Sequence, residues 1–275
     1  MDQLAGKVAF VTGSAGGIGF GIARACAEAG MRIVLSDIDE GALEQSAAEL
    51  RAGGANVMAV RLDVTDRNDW ARAARDVPAA MGPVQLLVNN AGISTLGMRF
   101  DEIGPELWDR VIAINLTGVY NGVHSFLHGM RDAGGGHIVN TASAAGLVGL
   151  PTLAPYAASK FGVVGLSEAL RAELTDSGIG VSVLCPASVR TRIRQTSRVV
   201  GGLPDTERSQ DIGAFSATAG MEPYEVGRRV LDAVAANELY IITHPEQRGL
   251  VIDRHERLLH GFDRGEAFAM DGSWR

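Results

Sequence analysis

Tyr156 and Lys160 are a pair whose types and spacing could do chemistry together. They stand four positions apart in a segment whose apolar residues recur at three and four. Both side chains should therefore leave one helix face, one turn apart. A phenol ionises near pH 10 in water, as a rough rule, too high for proton transfer near neutrality. A neighbouring ammonium favours the phenolate, and a tyrosine tuned in this way can take a hydroxyl proton or return it. Alone, the pair has a plainer reading, a packed ring beside a solvated lysine. Its company must decide.

Upstream, the apolar run Val8-Ala9-Phe10-Val11 passes directly into Thr12-Gly13-Ser14-Ala15-Gly16-Gly17-Ile18-Gly19 at the start of a helix-period segment. Glycine there lets the backbone turn sharply and approach a pyrophosphate, while the helix start offers free N–H groups and positive potential. An ordinary strand-to-helix turn would look similar. Asp37, at the end of the next strand, favours the dinucleotide: its carboxylate can accept hydrogen bonds from the adenosine ribose and would repel a 2′-phosphate. Neither Ala15 nor Ile38 brings a compensating cation, so NAD is expected rather than NADP. The alternative for Asp37 is a capping role, since Asp37-Ile38-Asp39-Glu40 also reads as a helix start.

These features, with several more in order, resemble the short-chain dehydrogenase/reductase family in its single-domain form, over about residues 7–242. The glycine turn is similar to the family's TGxxxGIG, Asn89-Asn90-Ala91-Gly92 to its NNAG strand end, and Tyr156-Ala157-Ala158-Ser159-Lys160 to its YxxxK. The resemblance implies an NAD-dependent oxidoreductase moving a hydride between nicotinamide and an alcohol or ketone, with Tyr156 as general acid and base. It implies cofactor contacts at Gly13, Ser14, Gly17, Ile18 and Gly19, at Asp63 and Val64 for the adenine, and at Asn90, Ala91 and Gly92. It further implies that Lys160 and Tyr156 meet the nicotinamide ribose, that Ser143 holds the substrate oxygen, and that Asn115 holds a water behind Lys160. Pro186, Val189 and Thr191 would lie beside the carboxamide, in a stretch where Ala187 replaces the family's usual glycine.

These residues need a scaffold of alternating strands and helices. Short β-branched runs at 7–11, 32–36, 57–62, 85–88, 137–141, 180–184 and 239–242 alternate with helix-period segments at 17–29, 40–52, 67–81, 105–133, 154–177 and 223–237. That pattern predicts an α/β fold, a doubly wound Rossmann-type parallel sheet of about seven strands with helices on both faces. A chain of 275 residues fits one such domain over 1–275. The Ser-, Thr-, Gly- and Arg-rich stretch 191–220 departs from the pattern and reads as a substrate lid. A formal net charge of −7 argues against nucleic acid and anionic membrane as partners. Cys26 and Cys185 have neither disulfide nor metal spacing, so no metal is expected. No signal-peptide pattern or long apolar run is visible, which suits a cytoplasmic protein.

By resemblance, the substrate pocket takes Ser143, Ala145, Leu150 and Tyr156, with Leu147, Val148, Leu153 and the stretch 94–96 around them. An apolar lining suits a hydrophobic secondary alcohol or ketone, aromatic compounds among them. Arg190, Arg192, Arg194 and Arg198 could bind an anionic group, though a solvated basic face explains them more simply. The tail after residue 239 is similar to a subgroup that includes dehydrogenases of lignin-derived aryl alcohols. Two readings stay open beside the dehydrogenase: an NAD-dependent epimerase or dehydratase, and a non-catalytic NAD-sensing regulator. Homo-oligomers, dimer or tetramer, are implied by the family's pairing of the 105–133 and 154–177 helices.

Overall fold

The computed structural model describes residues 4–95 and 97–270. Two compact units are present, residues 1–243 and 244–275. In the first, the strands are β1 Val8–Thr12, β2 Arg32–Asp37, β3 Val57–Arg61, β4 Val84–Asn89, β5 Gly136–Thr141, β6 Ile179–Cys185 and β7 Tyr240–Ile242. The helices are α1 Gly17–Glu28, α2 Glu40–Ala52, α3 Arg67–Met81, α4 Pro105–Ile112, α5 Gly118–Asp132, α6 Ala154–Glu173, α7 Ile193–Val199, α8 Glu207–Ala219 and α9 Pro223–Ala236. The second unit holds a helix, α10 Arg248–Met270, behind a short turn.

All seven strands join one parallel sheet in the order β3-β2-β1-β4-β5-β6-β7. The pleat explains how so apolar a strand as β1 is used: Val8 and Phe10 belong to the core layer of α3, α5 and α6, while Ala9 and Val11 belong to the layer of α1, α2 and α9. Alternate residues face opposite sides, so a strand covered on both faces must be apolar throughout. In the first layer Phe10, Trp70 and Phe126 pack in tilted and edge-to-face arrangements at centroid distances of 4.9 to 6.3 Å.

The expected strands and helices agree with the observed ones to within a few residues, with three instructive exceptions. The helix predicted over 105–133 is broken by a π-helical turn, Ala113–Thr117, a distortion frequently found at functional sites. The helix predicted over 154–177 stops at Glu173, where the Thr175 and Ser177 hydroxyls donate to the carbonyls of Ala172 and Leu174 and compete with the helical ladder. Segment 191–220 carries α7 and α8, with the Thr206 side chain capping α8 by accepting from Ser209 N. The arginines Arg190, Arg192, Arg194 and Arg198 are not a free basic face: Arg190 pairs with Glu222, Arg194 and Arg198 share Asp205, and Arg192 donates to the Ala15 carbonyl.

Helix α9 packs directly on α1 through two glycines. A Cβ on Gly21 would overlap the Pro223 carbonyl, and one on Gly227 would overlap the Gly21 carbonyl. Gly129, in α5, has nothing within 4 Å of an added Cβ. Gly21→Ala should therefore destabilise the protein by about 1–3 kcal/mol, and Gly129→Ala should stabilise it by about 0.5–1 kcal/mol. Chemical denaturation of both variants tests this, and a Gly21→Ala protein as stable as the parent would refute the packing argument.

Candidate active site

Neighbouring strands β1 and β4 send their chains in opposite directions, the place where a doubly wound sheet opens a crevice at its carboxyl edge. Their ends are tied together. Thr12 Oγ1 accepts from Asn90 N at 2.9 Å and Ala91 N at 3.0 Å, and Asn90 Nδ2 donates to the carbonyls of Thr12 (2.9 Å) and Gly13 (3.1 Å). The contact is close enough to demand glycine: Gly13 has φ +62°, and a Cβ there would lie 2.8 Å from Ala91 Cα. Ser14, fully buried, accepts from Ser36 N and so fixes the turn to β2.

Gly17 opens α1 with φ +55°, and the first turn of α1 has no acidic side chain, so its N–H groups and dipole are uncompensated. Asp37 lies alongside, its Oδ2 accepting from Ala15 N at 3.0 Å. Asp37 also serves the turn into α2, its Oδ1 accepting from Asp39 N at 3.1 Å, while the cap itself is Asp39, which accepts from Ala42 N. The crevice thus joins a glycine cradle, a bare helix start and a carboxylate at the neighbouring strand end. That set fits the diphosphate and adenosine ribose of a dinucleotide. Farther along the edge, Asp63 N donates to buried Asp69, which also meets Arg61 and Arg72. Val64 is buried, its carbonyl accepting from Trp70 Nε1 and Asn121 Nδ2.

On the other side of the crevice, Asn115 sits in the π-helical turn with no solvent exposure. Its Oδ1 accepts from Ile93 N at 2.9 Å, and its Nδ2 donates to Ile93 O at 2.8 Å and Ser159 Oγ at 3.1 Å. Ser159 Oγ in turn donates to Tyr156 O. The amide thereby links the segment after β4 to α6. Lys160 is buried, its Nζ donating to Thr141 O at 2.8 Å and lying 5.6 Å from the Tyr156 ring centroid. Gly92 leaves the room for this: a Cβ there would stand 3.2 Å from Asn115 Oδ1 and 3.5 Å from Lys160 Nζ. Ser143, one residue beyond the Ala142 that follows β5, faces the Tyr156 phenol, accepts from Ala145 N and donates to Pro186 O.

The electrostatics differ from the sequence expectation in one respect. Burial raises the Tyr156 phenol above its ordinary value and the Ser143 hydrogen bond pulls it back; the lowering expected from Lys160 does not prevail. Burial also pushes the Lys160 ammonium down to about 8 and the nearby Cys185 thiol up to about 12. Burial thus displaces three neighbouring ionisable groups at once, the pattern that functional sites use to tune proton transfer.

Of the residues expected to form the site, the structure brings Asn115, Ser143, Tyr156, Lys160 and Gly92 together, and separately Gly13, Ser14, Gly17, Gly19, Asp37, Asn90 and Ala91. Ile18 follows Gly17 in the first turn of α1. Thr191 joins the cradle, its methyl 3.2 Å from where a Cβ on Gly17 would be. Val189 is buried and bridges to Met221. The expected pocket residues are less uniform: Ala145 is buried in the turn after Ser143, whereas Leu150 is 39% exposed. Ser94 is buried and its N–H donates to Ser197 Oγ of α7 at 2.9 Å; Leu96 lies outside the described residues. Thr12, Thr141 and Ser159 have no individual role in the sequence reading, and Arg192 stands there only as one of four arginines read as a solvated basic face. Ser159 could have been anticipated, as a hydroxyl within the same five-residue motif as Tyr156 and Lys160. Among the described residues, no group of three or more His, Cys, Asp and Glu could hold a metal, and no helix is long and apolar enough to cross a membrane.

A family model described as short chain dehydrogenase matches residues 7–199. The chain is 36% identical over 256 residues to a C alpha-dehydrogenase of Sphingobium sp. strain SYK-6, covering 90% of this chain and 84% of that one. Among solved structures, a short chain dehydrogenase/reductase from Burkholderia phymatum in complex with NAD superposes with a TM-score of 0.90 at 36% identity, covering 95% and 97% of the two chains. An actinorhodin polyketide ketoreductase variant with NADPH superposes at 0.76 with 32% identity, covering 89% and 98%.

The buried ammonium has a consequence for stability. Below pH 8 Lys160 is charged in folded and unfolded chains alike; between about 8 and its ordinary 10.5 it is neutral only when folded. The unfolded chain then binds more protons, so stability rises with pH across that window. Lys160→Met should accordingly be more stable than the parent at pH 7, by on the order of 2 kcal/mol, with the gap closing towards pH 10.5. Denaturant titrations at the two pH values check this; a variant less stable than the parent at pH 7 would contradict it.

Proposed function

The chain belongs to the short-chain dehydrogenase/reductase family, oxidoreductases acting on CH–OH groups, and on that premise we propose that it transfers a hydride between NAD(H) and a hydrophobic secondary alcohol or ketone, with Tyr156 as general acid and base. The carrying observation is the buried Lys160 ammonium, held by Thr141 O, with its Nζ 5.6 Å from the centroid of the Tyr156 ring one helical turn away. When bound, the dinucleotide takes up or gives the hydride; the protein's own residues hold the substrate oxygen and move its proton. In the oxidative direction the phenolate oxygen of Tyr156 accepts the hydroxyl proton, and Ser143 Oγ donates to the same oxygen as alkoxide character develops. Lys160 Nζ, held by Thr141 O, supplies the positive charge that favours the phenolate. Asn115 sets the position of Lys160 by fixing Ile93 against α6.

For the cofactor, Gly13, Ser14, Gly17, Ile18 and Gly19 take the diphosphate, and Asp37 takes the adenosine ribose. Asp63 and Val64 border the adenine, with Asn90, Ala91 and Gly92 beneath. Tyr156 and Lys160 meet the nicotinamide ribose, and Pro186, Val189 and Thr191 border the carboxamide. The choice of NAD rests on Asp37, whose carboxylate opposes a 2′-phosphate. Segment 191–220 closes the substrate side, and Leu147, Val148, Leu150 and Leu153 make that side apolar. Two-fold pairing through α4, α5 and α6 gives a homodimer or homotetramer, supported by the exposed Trp108 and Tyr120 on that face.

Following NADH absorbance across a panel of hydrophobic and aryl secondary alcohols tests the reaction. Tyr156→Phe should lower kcat by about 10³-fold while leaving NAD+ affinity within about twofold of the parent by the same reasoning; substantial turnover in this variant would sink the assignment. Asp37→Ala should reduce the preference for NAD+ over NADP+ by about tenfold, read as the ratio of kcat/KM values. An unchanged ratio would remove Asp37 as the determinant.

A further inference from the structure

Four arginines stand at the exit from β6, and among the described residues three of them are ion-paired: Arg190 with Glu222, and Arg194 and Arg198 with Asp205. Arg192 has no carboxylate partner among the described residues. Its Nη2 donates to the Ala15 carbonyl at 3.0 Å and lies 2.9 Å from where a Cβ on Gly16 would be. Gly16 is the residue that caps α1, Gly17 begins the helix, and neither a capping side chain nor an acidic residue occupies the first turn. The guanidinium therefore lies over the positive end of a helix dipole. That arrangement is electrostatically unfavourable by itself and becomes favourable when an anion shares the space. The guanidinium of this exposed arginine lies close over Gly16, where no side chain intervenes between it and the helix start.

The guanidinium uses one donor on Ala15 and keeps the rest of its planar fork, a shape matched to paired phosphate oxygens. Asp37 acts on the opposite side of the same residue, accepting from Ala15 N. The cation is thus placed at the helix start, and the carboxylate on the ribose side. We propose that Arg192 is a cofactor-binding residue whose guanidinium grips the dinucleotide diphosphate at the glycine turn. The inference rests on the dinucleotide reading above. Because Arg192 opens segment 191–220, its grip also ties that segment to the cofactor side of the crevice.

Calorimetric titration of the full chain and of its Arg192→Gln and Arg192→Lys variants with NAD+, ADP-ribose and NADP+ tests this, with the ligand-free melting temperature recorded for each. Arg192→Gln should weaken NAD+ and ADP-ribose by the same factor, about tenfold, and NADP+ equally. Arg192→Lys, which keeps the charge and loses the fork, should recover part of the loss even if the glutamine variant melts lower. Unchanged affinity for NAD+ and ADP-ribose in both variants overturns the proposal. So does a loss confined to NADP+, which would assign the guanidinium to a 2′-phosphate. Parent protein that binds none of the three overturns the dinucleotide reading too, whereas normal parent binding with indifferent variants overturns Arg192 alone.

Discussion

The hydrogen bonds joining Thr12 and Gly13 to Asn90 and Ala91 hold the rest of the site in place. They fasten two strand ends from which the chain departs in opposite directions, and each departing segment carries half of the chemistry. On one side the turn runs into α1 and meets Asp37. On the other, Gly92 and Ile93 pass to the Asn115 amide, which is bonded through Ser159 to α6 and so to the backbone that carries Tyr156 and Lys160. Both halves are registered to the same few atoms. A buried side-chain network of this kind specifies geometry strongly because each unmet polar group would cost free energy.

Around that clamp, the ionisable groups are arranged against their own solvation. Lys160 is an ammonium in the protein interior whose hydrogen bond is to a neutral carbonyl, and its neighbour Cys185 is a thiol kept protonated by the same burial. Tyr156 also lies above its ordinary value. The stability given up to bury a cation is recovered as a site in which small additions of charge move protons, a trade common to catalytic centres.

Much of this was legible in the sequence. The strands were visible because burial on both faces forces apolar β-branched runs, and the glycine turn because Gly13 and Gly17 adopt positive φ where a side chain would be strained. Asp37 was legible as a carboxylate at a strand end, though not that its oxygen would bind Ala15 N. The π-helical turn around Asn115 was not, because the apolar period of 105–133 continues through it. Helices α7 and α8 escaped because their sequences, rich in Ser, Thr and Gly, lack a regular apolar stripe; capping by Thr206 and ion pairs to Asp205 support them instead. Arg192 is visible in the sequence only as one of four arginines able to bind an anion, with nothing to single it out. Its partner is a carbonyl 177 positions away, a contact that side-chain types and local spacing do not encode.

The glycine contacts between α1 and α9 bear on how this scaffold can diversify. Segment 191–220 leaves the sheet with Thr191 against Gly17 and returns into α9, whose Gly227 rests on Gly21. Both of its ends are therefore moored to one post, barely a helical turn apart along α1. A loop with coincident moorings can lengthen, shorten or exchange its side chains without moving the strands that frame it. Changes can accumulate in such a loop while the glycine turn and the Tyr156 face stay where they are.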